Sequence, residues 1–414
     1  MLQSSSAAET AQLRAAGGTR STLLMSGRLG VSPMQTDDLT ILVEPVCHGL
    51  EHVPTNTAML ASATHAWPGR VAFMGERTHV GAVRSAVPVL AADVTWSELD
   101  IPARRGLSRA RRMASEWMTF SRVAREATLA RANRVMATAA SYEGVQIARL
   151  VWGALRVPIP LVIVIHGVLS RLLASRAPRW AMEQARPRRV QFVVLGDDIL
   201  RAAARIAPGL TRTTASIEHP YFFDDIVDAP LFSGPLGFGF LGLASRSKGY
   251  PQFVAIAEHT RSATPRAEFH LVGGVGADCA SVVTTAVKTH ATGDQLLDRT
   301  TYARLATACH YLVYPFSVDA YTLTSSATFL DALKFVRPVL ALNGPPFVEH
   351  FRRFGDIGYL CDDLKHLQNT IEDLASKPLD RDRYAAQQAA LIAARRVFSP
   401  EAVGEQLAGL VGCK

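Results

Sequence analysis

Short apolar runs alternate with helical patterns in two successive series along this chain, and that alternation permits few folds. The first series holds strand-like runs at Leu39–Val43, Arg70–Met74, Val87–Ala91, Val135–Ala139, Leu161–Ile165 and Gln191–Leu195. An Ala-rich helix is expected over residues 55–66, and another over Ile199–Ile206 with Asp197 or Asp198 as its cap. The second series places strands at Gly237–Leu243, Glu268–Val272, Tyr311–Tyr314 and Pro338–Leu342, with helices at Tyr250–His259, Thr301–Cys309, Thr328–Phe335 and Leu364–Ala375. Strands alternating with helices predict parallel sheets covered on both faces, an α/β doubly wound architecture. Between Ile217 and Pro235 the periodicity lapses in a stretch rich in Pro and Asp, which reads as a linker. Two halves joined there leave a cleft between them, where open sheets bind ligands. The expected organisation is a disordered extension over 1–37, a first domain over 38–220, a linker over 221–235, a second domain over 236–382, and C-terminal helices over 383–414 that cross back to the first domain.

Charge divides the chain at the same linker. Residues 1–220 carry 26 Arg and no Lys against 16 acidic residues, or +10. Residues 221–414 carry 12 Arg and 6 Lys against 20 acidic residues, or −2. The first half is therefore expected to meet an anionic surface. At 48% apolar and 19% charged, the chain has the composition of a packed protein, and its five scattered cysteines make no disulfide scaffold and no Cys-x-x-Cys pair. The longest apolar run in the first 37 residues is Leu23-Leu24-Met25, too short for a secretory signal, although an Arg- and Ser-rich leader also imitates a transit peptide. Leu150–Leu173 is mostly apolar but is broken by Arg156, Pro158, Pro160 and His166. That predicts a soluble or peripheral protein.

Two literal motifs lack their context. Gly237-Phe-Gly239-Phe-Leu-Gly242 matches the dinucleotide fingerprint, yet its glycines alternate with phenylalanines along a strand, and the next helix starts only near Tyr250. His48-Gly-Leu-Glu51-His52 matches an inverted zinc-protease pattern, but Gly49 and Pro54 argue against the continuous helix that chemistry needs. An NAD-dependent oxidoreductase and a zinc hydrolase stay as alternatives on these motifs. The stretch Arg104–Arg134 holds nine Arg and two Glu, with Met113, Trp117, Phe120, Ala124 and Ala127 in an apolar stripe opposite Arg111, Arg122 and Arg125. It reads either as a solvated helix packed on a core or as a helix lying on a membrane surface. No stacking or recognition-helix motif accompanies these arginines, so nucleic acid is not an expected partner.

One constellation in the second half has coherent chemistry. Arg246 and Lys248 follow a strand and open a helix, as a diphosphate site requires. Thr324, Ser325 and Ser326 stand just before a helix and offer hydroxyl and amide donors. Asp331 near that helix start can take both hydroxyls of a ribose. In this order the features resemble the GT-B glycosyltransferases, specifically the retaining group 1, or family 4, enzymes. The family's Lys-Gly falls on Lys248 and Gly249, and its second Glu on Asp331; Ala332, Pro338 and Val339 continue the match. Its Arg position holds Leu243 and its first Glu position holds Leu323, with Arg246 and Asp319 as displaced substitutes. In the first half, Gly49, Glu51 and His52 resemble the family's glycine-rich loop on the acceptor side. His166, closing Pro160-Leu-Val-Ile-Val-Ile-His, resembles its cleft-facing histidine; on its own, a strand-end histidine bonded to backbone is the other reading.

The resemblance implies two Rossmann-like doubly wound domains facing a cleft. It implies a hexosyltransferase-like glycosyltransferase that moves a sugar from a nucleotide diphosphate sugar to a glycan or lipid-linked acceptor in polysaccharide or glycolipid synthesis, with retention. His166 and Asp319 would be catalytic. Arg246, Lys248, Gly249, Thr324, Ser325, Ser326 and Asp331 would bind the donor, and Gly49, Glu51 and His52 would lie on the acceptor side. No cofactor and no metal would be required. The expected place is cytoplasmic and peripheral, at the inner face of a membrane whose anionic lipid meets Arg104–Arg134. A catalytically degenerate GT-B domain that binds a partner is the rival reading.

Overall fold

The computed structural model describes residues 38–103, 106–223, 234–264, 266–291, 293–295, 297–316 and 321–410. The expected extension over 1–37, most of the 221–235 linker, Arg104, Asp319 and Cys413 lie outside the described residues. In the first half the strands are β1 (Leu39–Val43), β2 (Arg70–Glu76), β3 (Val94–Leu99), β4 (Arg134–Ala137), β5 (Leu161–Ile165), β6 (Val190–Leu195) and β7 (Thr214–Ile217). The helices are α1 (Val53–Ala66), α2 (Arg77–Ala86), α3 (Arg109–Leu129), α4 (Tyr142–Ala154), α5 (Leu169–Ala174), α6 (Arg176–Glu183) and α7 (Asp197–Ile206). The second half contributes β8 (Gly237–Leu241), β9 (Glu268–Val272), β10 (Val287–Thr289), β11 (Tyr311–Tyr314), β12 (Val339–Leu342) and β13 (Gly358–Cys361). Its helices are α8 (Tyr250–Ala263), α9 (Arg299–Ala308), α10 (Ala327–Phe335), α11 (Pro345–Phe354), α12 (Leu364–Ser376), α13 (Arg381–Ala394) and α14 (Pro400–Ala408).

All pairings within the two sheets are parallel. The first sheet runs β3-β2-β1-β4-β5-β6-β7 and the second β10-β9-β8-β11-β12-β13. The order reverses between β1 and β4 in one sheet and between β8 and β11 in the other. Those are the topological switch points at which doubly wound sheets open a crevice. The alternation read from sequence is visible in the cores: Leu39, Ile41 and Val43 face one apolar cluster with α3 and α4, while Leu42 faces another with α1. In the second sheet, Phe238 and Phe240 pack on one side of β8 and Leu241 on the other.

Several local expectations change. Val87–Ala91 is a series of turns rather than a strand, because Pro88 has no amide to pair and Ala91 and Asp93 close helical turns onto Val87 and Leu90. The strand follows, at Val94–Leu99. Neither Asp197 nor Asp198 caps α7: Gly196 takes that position and both aspartates fall in the first turn, with Asp197 accepting from the Ser216 hydroxyl. On α3, Phe120, Ala124 and Ala127 are buried, but Met113 and Trp117 at the helix start are 39% and 42% exposed, so the apolar stripe shifts away from the core there. Of the fingerprint glycines, Gly237 and Gly239 lie inside β8, where a Cβ on Gly239 would stand 2.7 Å from the Cys309 sulfur; Gly242 follows the strand with a φ of 82°, and no helix starts before Tyr250.

The last helix, α14, returns to the first half. Val403, Leu407 and the following Leu410 join the cluster under α1, and a Cβ on Gly404 would approach the Ser62 carbonyl to 2.9 Å. No helix among the described residues is long and apolar enough to cross a membrane.

Candidate functional site

The chain after β1 leaves the first switch point as a tight loop held by buried polar groups. Glu44 is fully buried, and its carboxylate accepts from the amides of Val46 at 2.9 Å and Cys47 at 3.1 Å, from the Asn56 side chain at 3.1 Å and from the Thr138 hydroxyl at 3.0 Å. His79 is equally buried and reaches the Gly49 carbonyl at 2.9 Å through Nδ1 and the Asn56 amide at 2.9 Å through Nε2. A carbonyl only accepts, so Nδ1 carries the proton and Nε2 accepts from Asn56. A chain of directed bonds thus runs Glu44, Asn56, His79, Gly49. Glu76 at the end of β2 adds to the same cradle; burial opposes its ionisation, but the hydroxyl and amide of Thr78 and the amide of His79 hold its pKa down to about 2.

Gly49 and His52 both take the left-handed conformation, with φ of 52° and 51°, so His48-Gly-Leu-Glu51-His52 is a turn before α1 and not a zinc-binding helix. Glu51 accepts from the His48 amide within that turn. Among the described residues no group of three or more His, Cys, Asp or Glu is placed to hold a metal.

His52, His166 and a residue not singled out in the sequence, His219, meet at the cleft. Their ring centroids are 5.2 Å apart for His52 and His166 and 5.5 Å for His166 and His219. Burial, then the neighbouring His52, holds His166 down to about 4, and burial lowers His219 well below the ordinary imidazole range. Both are neutral at pH 7, and the buried Nδ1 of His166 has no hydrogen-bond partner among the described residues. His219 spans the two halves, within 3.3 Å of the Thr55 hydroxyl on α1 and 3.3 Å of the Ser325 hydroxyl before α10. Sequence patterning gave no sign of this role, since His219 stands next to Pro220 in what reads as a linker.

The turn after β8 supplies the second switch point. Gly249 has φ of 73°, and a Cβ there would lie 2.0 Å from the Pro315 carbonyl, so only glycine fits between Lys248 and α8. Lys248 lines the cleft and makes no ion pair among the described residues; burial lowers its pKa, opposed by Asp331. Arg246 lies elsewhere: its backbone amide and guanidinium are tied to Asp278 on an exposed turn, and it does not line the cleft. Ser326 flanks α10 and bonds to the Thr328 hydroxyl at 3.1 Å, while the Thr324 amide closes weakly onto the Tyr321 carbonyl. Leu323 is partly buried and packs against the apolar cluster of the first half.

Asp331 sits on α10 with both carboxylate oxygens engaged. The Tyr221 hydroxyl donates to one at 2.6 Å and the Tyr302 hydroxyl to the other at 2.8 Å. Burial raises its pKa, against the pull of these donors and of Lys334 and Lys248. His52, Thr55, Lys248, Asp331 and Lys334 thus share one cavity of about 1520 Å³ between the halves. That exceeds the roughly 300–1,000 Å³ of a small-ligand pocket. The halves are also joined outside the cavity, by Arg353 and Glu218 at 2.8 Å and by Arg201 and Glu349 at 3.2 Å.

No protein-family model matches the sequence, and no curated protein matches it. The fold, by contrast, is shared widely among solved structures. HepE of Anabaena in complex with UDP and glucose is 12% identical, with 90% of this chain and 98% of that one covered and a TM-score of 0.63. The same protein in complex with UDP-glucose is 14% identical, over 90% and 98% of the two chains, with a TM-score of 0.60. Sucrose-phosphate synthase of Thermosynechococcus elongatus is 14% identical over 89% and 97% of the chains, with a TM-score of 0.59. At such identities the likeness is one of fold: this chain has the GT-B architecture of two Rossmann-like domains.

Proposed function

We propose that this GT-B chain is a glycosyltransferase that transfers a sugar from a nucleoside diphosphate to an acceptor hydroxyl. The carrying observation is Lys248, a cation without an ion pair among the described residues, beside Asp331 at a switch point and across the cleft from three histidines. An anionic group with a neighbouring diol complements that pair, and a nucleoside diphosphate has both. HepE, of the same fold, is known in complex with UDP-glucose, which supports a nucleotide sugar as the donor here.

In this reading Lys248 and the first-turn amides of α10 meet the diphosphate and stabilise the charge it gains as the sugar leaves. Thr324, Ser325 and Ser326 line its approach, and Asp331 takes the ribose. The imidazoles of His52 and His166, the latter neutral at pH 7, exchange hydrogen bonds with sugar and acceptor hydroxyls. Gly49 and Glu51 shape the loop that presents His52. Arg246, tied to Asp278 away from the cavity, takes no part in this reading; Asp319 keeps the role of a displaced partner for the donor sugar, and retention of configuration follows the same family pattern.

The acceptor is proposed to be a glycan or lipid-linked sugar of polysaccharide or glycolipid synthesis, met at the cytoplasmic face of a membrane. Supporting this, α3 exposes Met113, Trp117 and Met118 beside Arg111 and Arg125, and Trp180 on α6 is 63% exposed. Binding to anionic but not neutral liposomes is the expected result. A second reading, a degenerate domain that only binds a partner, draws support from Leu323, whose apolar contact stands where the family pattern has a carboxylate. Thermal shift with UDP-, GDP- and ADP-sugars separates the two. A rise in melting temperature with at least one donor, and release of nucleoside diphosphate that stops in Lys248→Ala, supports transfer; no shift with any donor defeats the donor site.

A further inference from the structure

Two phenols already occupy the carboxylate that the donor reading assigns to ribose. Tyr302 belongs to α9, in the same half as Asp331, whereas Tyr221 comes from the segment that crosses between the halves. The Tyr221 amide donates to the Phe398 carbonyl at 2.8 Å, so its backbone is fixed on the chain leading into α14. Its ring lies 5.4 Å from the Phe223 ring, with the Lys334 ammonium 5.8 Å from its centroid. Both Tyr221 and Tyr302 line the cavity together with Lys248 and Asp331. The two oxygens of Asp331 therefore each accept from a hydroxyl supplied by the protein, two donors on one carboxylate, as a ribose would supply.

We infer that Tyr221 and Tyr302 form a clasp mimicking a ribose diol on Asp331, and that a donor nucleotide binds by displacing the Tyr221 hydroxyl. The inference rests on the donor-site reading above. Tyr221 is the member that yields, because its side chain alone must turn while its backbone stays bonded to Phe398. Tyr302 is one turn into a helix packed beneath the site, where its ring meets Phe335 at 6.0 Å. Nucleotide binding then exchanges one hydrogen bond to a charged acceptor for another, and the clasp lowers affinity by the strength of the bond it holds. Tyr221 thus sets which nucleotides bind: a ribose 2′-hydroxyl takes the place of its hydroxyl on Asp331, whereas a 2′-deoxyribose brings nothing to replace it.

The test is calorimetric titration of the full chain and its Tyr221→Phe and Asp331→Asn variants with UDP and with 2′-deoxy-UDP, beside GDP and ADP. Phenylalanine keeps the ring and removes one oxygen, and an unchanged melting temperature verifies the fold. Tyr221→Phe is expected to tighten UDP binding about tenfold, the ratio carried by one hydrogen bond to a charged group. The gain for 2′-deoxy-UDP should be much smaller, and Asp331→Asn should erase the preference for UDP over its deoxy form. If Tyr221→Phe leaves UDP affinity equal or weaker, or tightens both nucleotides equally, the clasp is wrong while the donor site stands. If neither the natural chain nor Tyr221→Phe binds any of the nucleotides, the donor-site reading itself falls, and the clasp with it.

Discussion

The two switch points of this molecule are built from the same topology and solve opposite problems. At the first, Glu44, Asn56, Thr138 and His79 satisfy one another and the backbone of the loop, so the polar groups are consumed in holding shape. At the second, Gly249 holds the shape through a close approach of backbone to backbone, and Lys248 is left without an ion pair among the described residues. A loop stabilised by its own polar network has little left to give a ligand. A loop stabilised by sterics keeps its charge available. Under the proposed function, the available charge favours the second loop for the anionic donor, although the first half carries the larger positive charge.

Gly249→Ala should have the largest effect, because the Pro315 carbonyl occupies the space of the new methyl group: a loss of at least about 3 kcal/mol in a urea melt is expected. Glu44→Ala should follow, leaving buried donors from Asn56, Thr138 and two amides unsatisfied at about 2–3 kcal/mol of stability. A loss as small as that of a surface substitution would contradict the idea that this loop is built by its buried network. Lys248→Ala is expected to invert the pattern. Nucleotide affinity should drop about 30-fold by titration, the worth of a charged contact, while the melting temperature holds or rises because a half-buried cation is gone.

The histidines between the switch points make a pH-dependent prediction. His166 is held at about 4 in the folded chain by burial and then by His52, below its unfolded value of 6.5. The unfolded chain therefore binds more protons between those values, and stability is full above pH 6.5 and falls as pH drops toward 4. His219, lowered in the same direction by burial, His166 and His52, adds to the slope. His166→Phe should flatten this dependence on the order of 2 kcal/mol across the window, read from urea melts at pH 7.5 and 4.5. The smallest effect belongs to Gly49→Ala. Gly49 shares the left-handed backbone of Gly249, but among the described residues a Cβ there would meet only the Thr78 hydroxyl within 4 Å, at 3.9 Å, so about 1 kcal/mol is expected. Equal losses at Gly49 and Gly249 would erase the distinction between the two loops.

Much of the fold was legible because buried parallel strands read as continuous apolar runs. Glu268–Val272 and Tyr311–Tyr314 are strands over the very residues expected. The misreadings have local causes. Val87–Ala91 is apolar for the cleft that Val87, Val89 and Leu90 line, and not for a sheet. Lys248 and Asp331 were legible in the site because each sits at a fixed offset from a strand or a helix start. Arg246 was legible only as a charge near a turn; its tie to Asp278, 32 residues away, follows from how two loops pack. His219, Tyr221 and Tyr302 gave no signal, since their contacts lie up to 164 residues apart in the chain.

The sequence by itself determined the layers of this protein. Strand and helix are set by period and by which faces must leave water, and both are properties of neighbours in the chain. The charge asymmetry was likewise a property of composition, and it raised the expectation of an anionic partner for the first half. Only the tertiary structure decided that the two strand orders reverse at the cleft, that α14 returns to α1, and that two tyrosines close on Asp331. Those outcomes depend on hydrogen bonds and close approaches between distant segments, for which no periodicity exists along the chain.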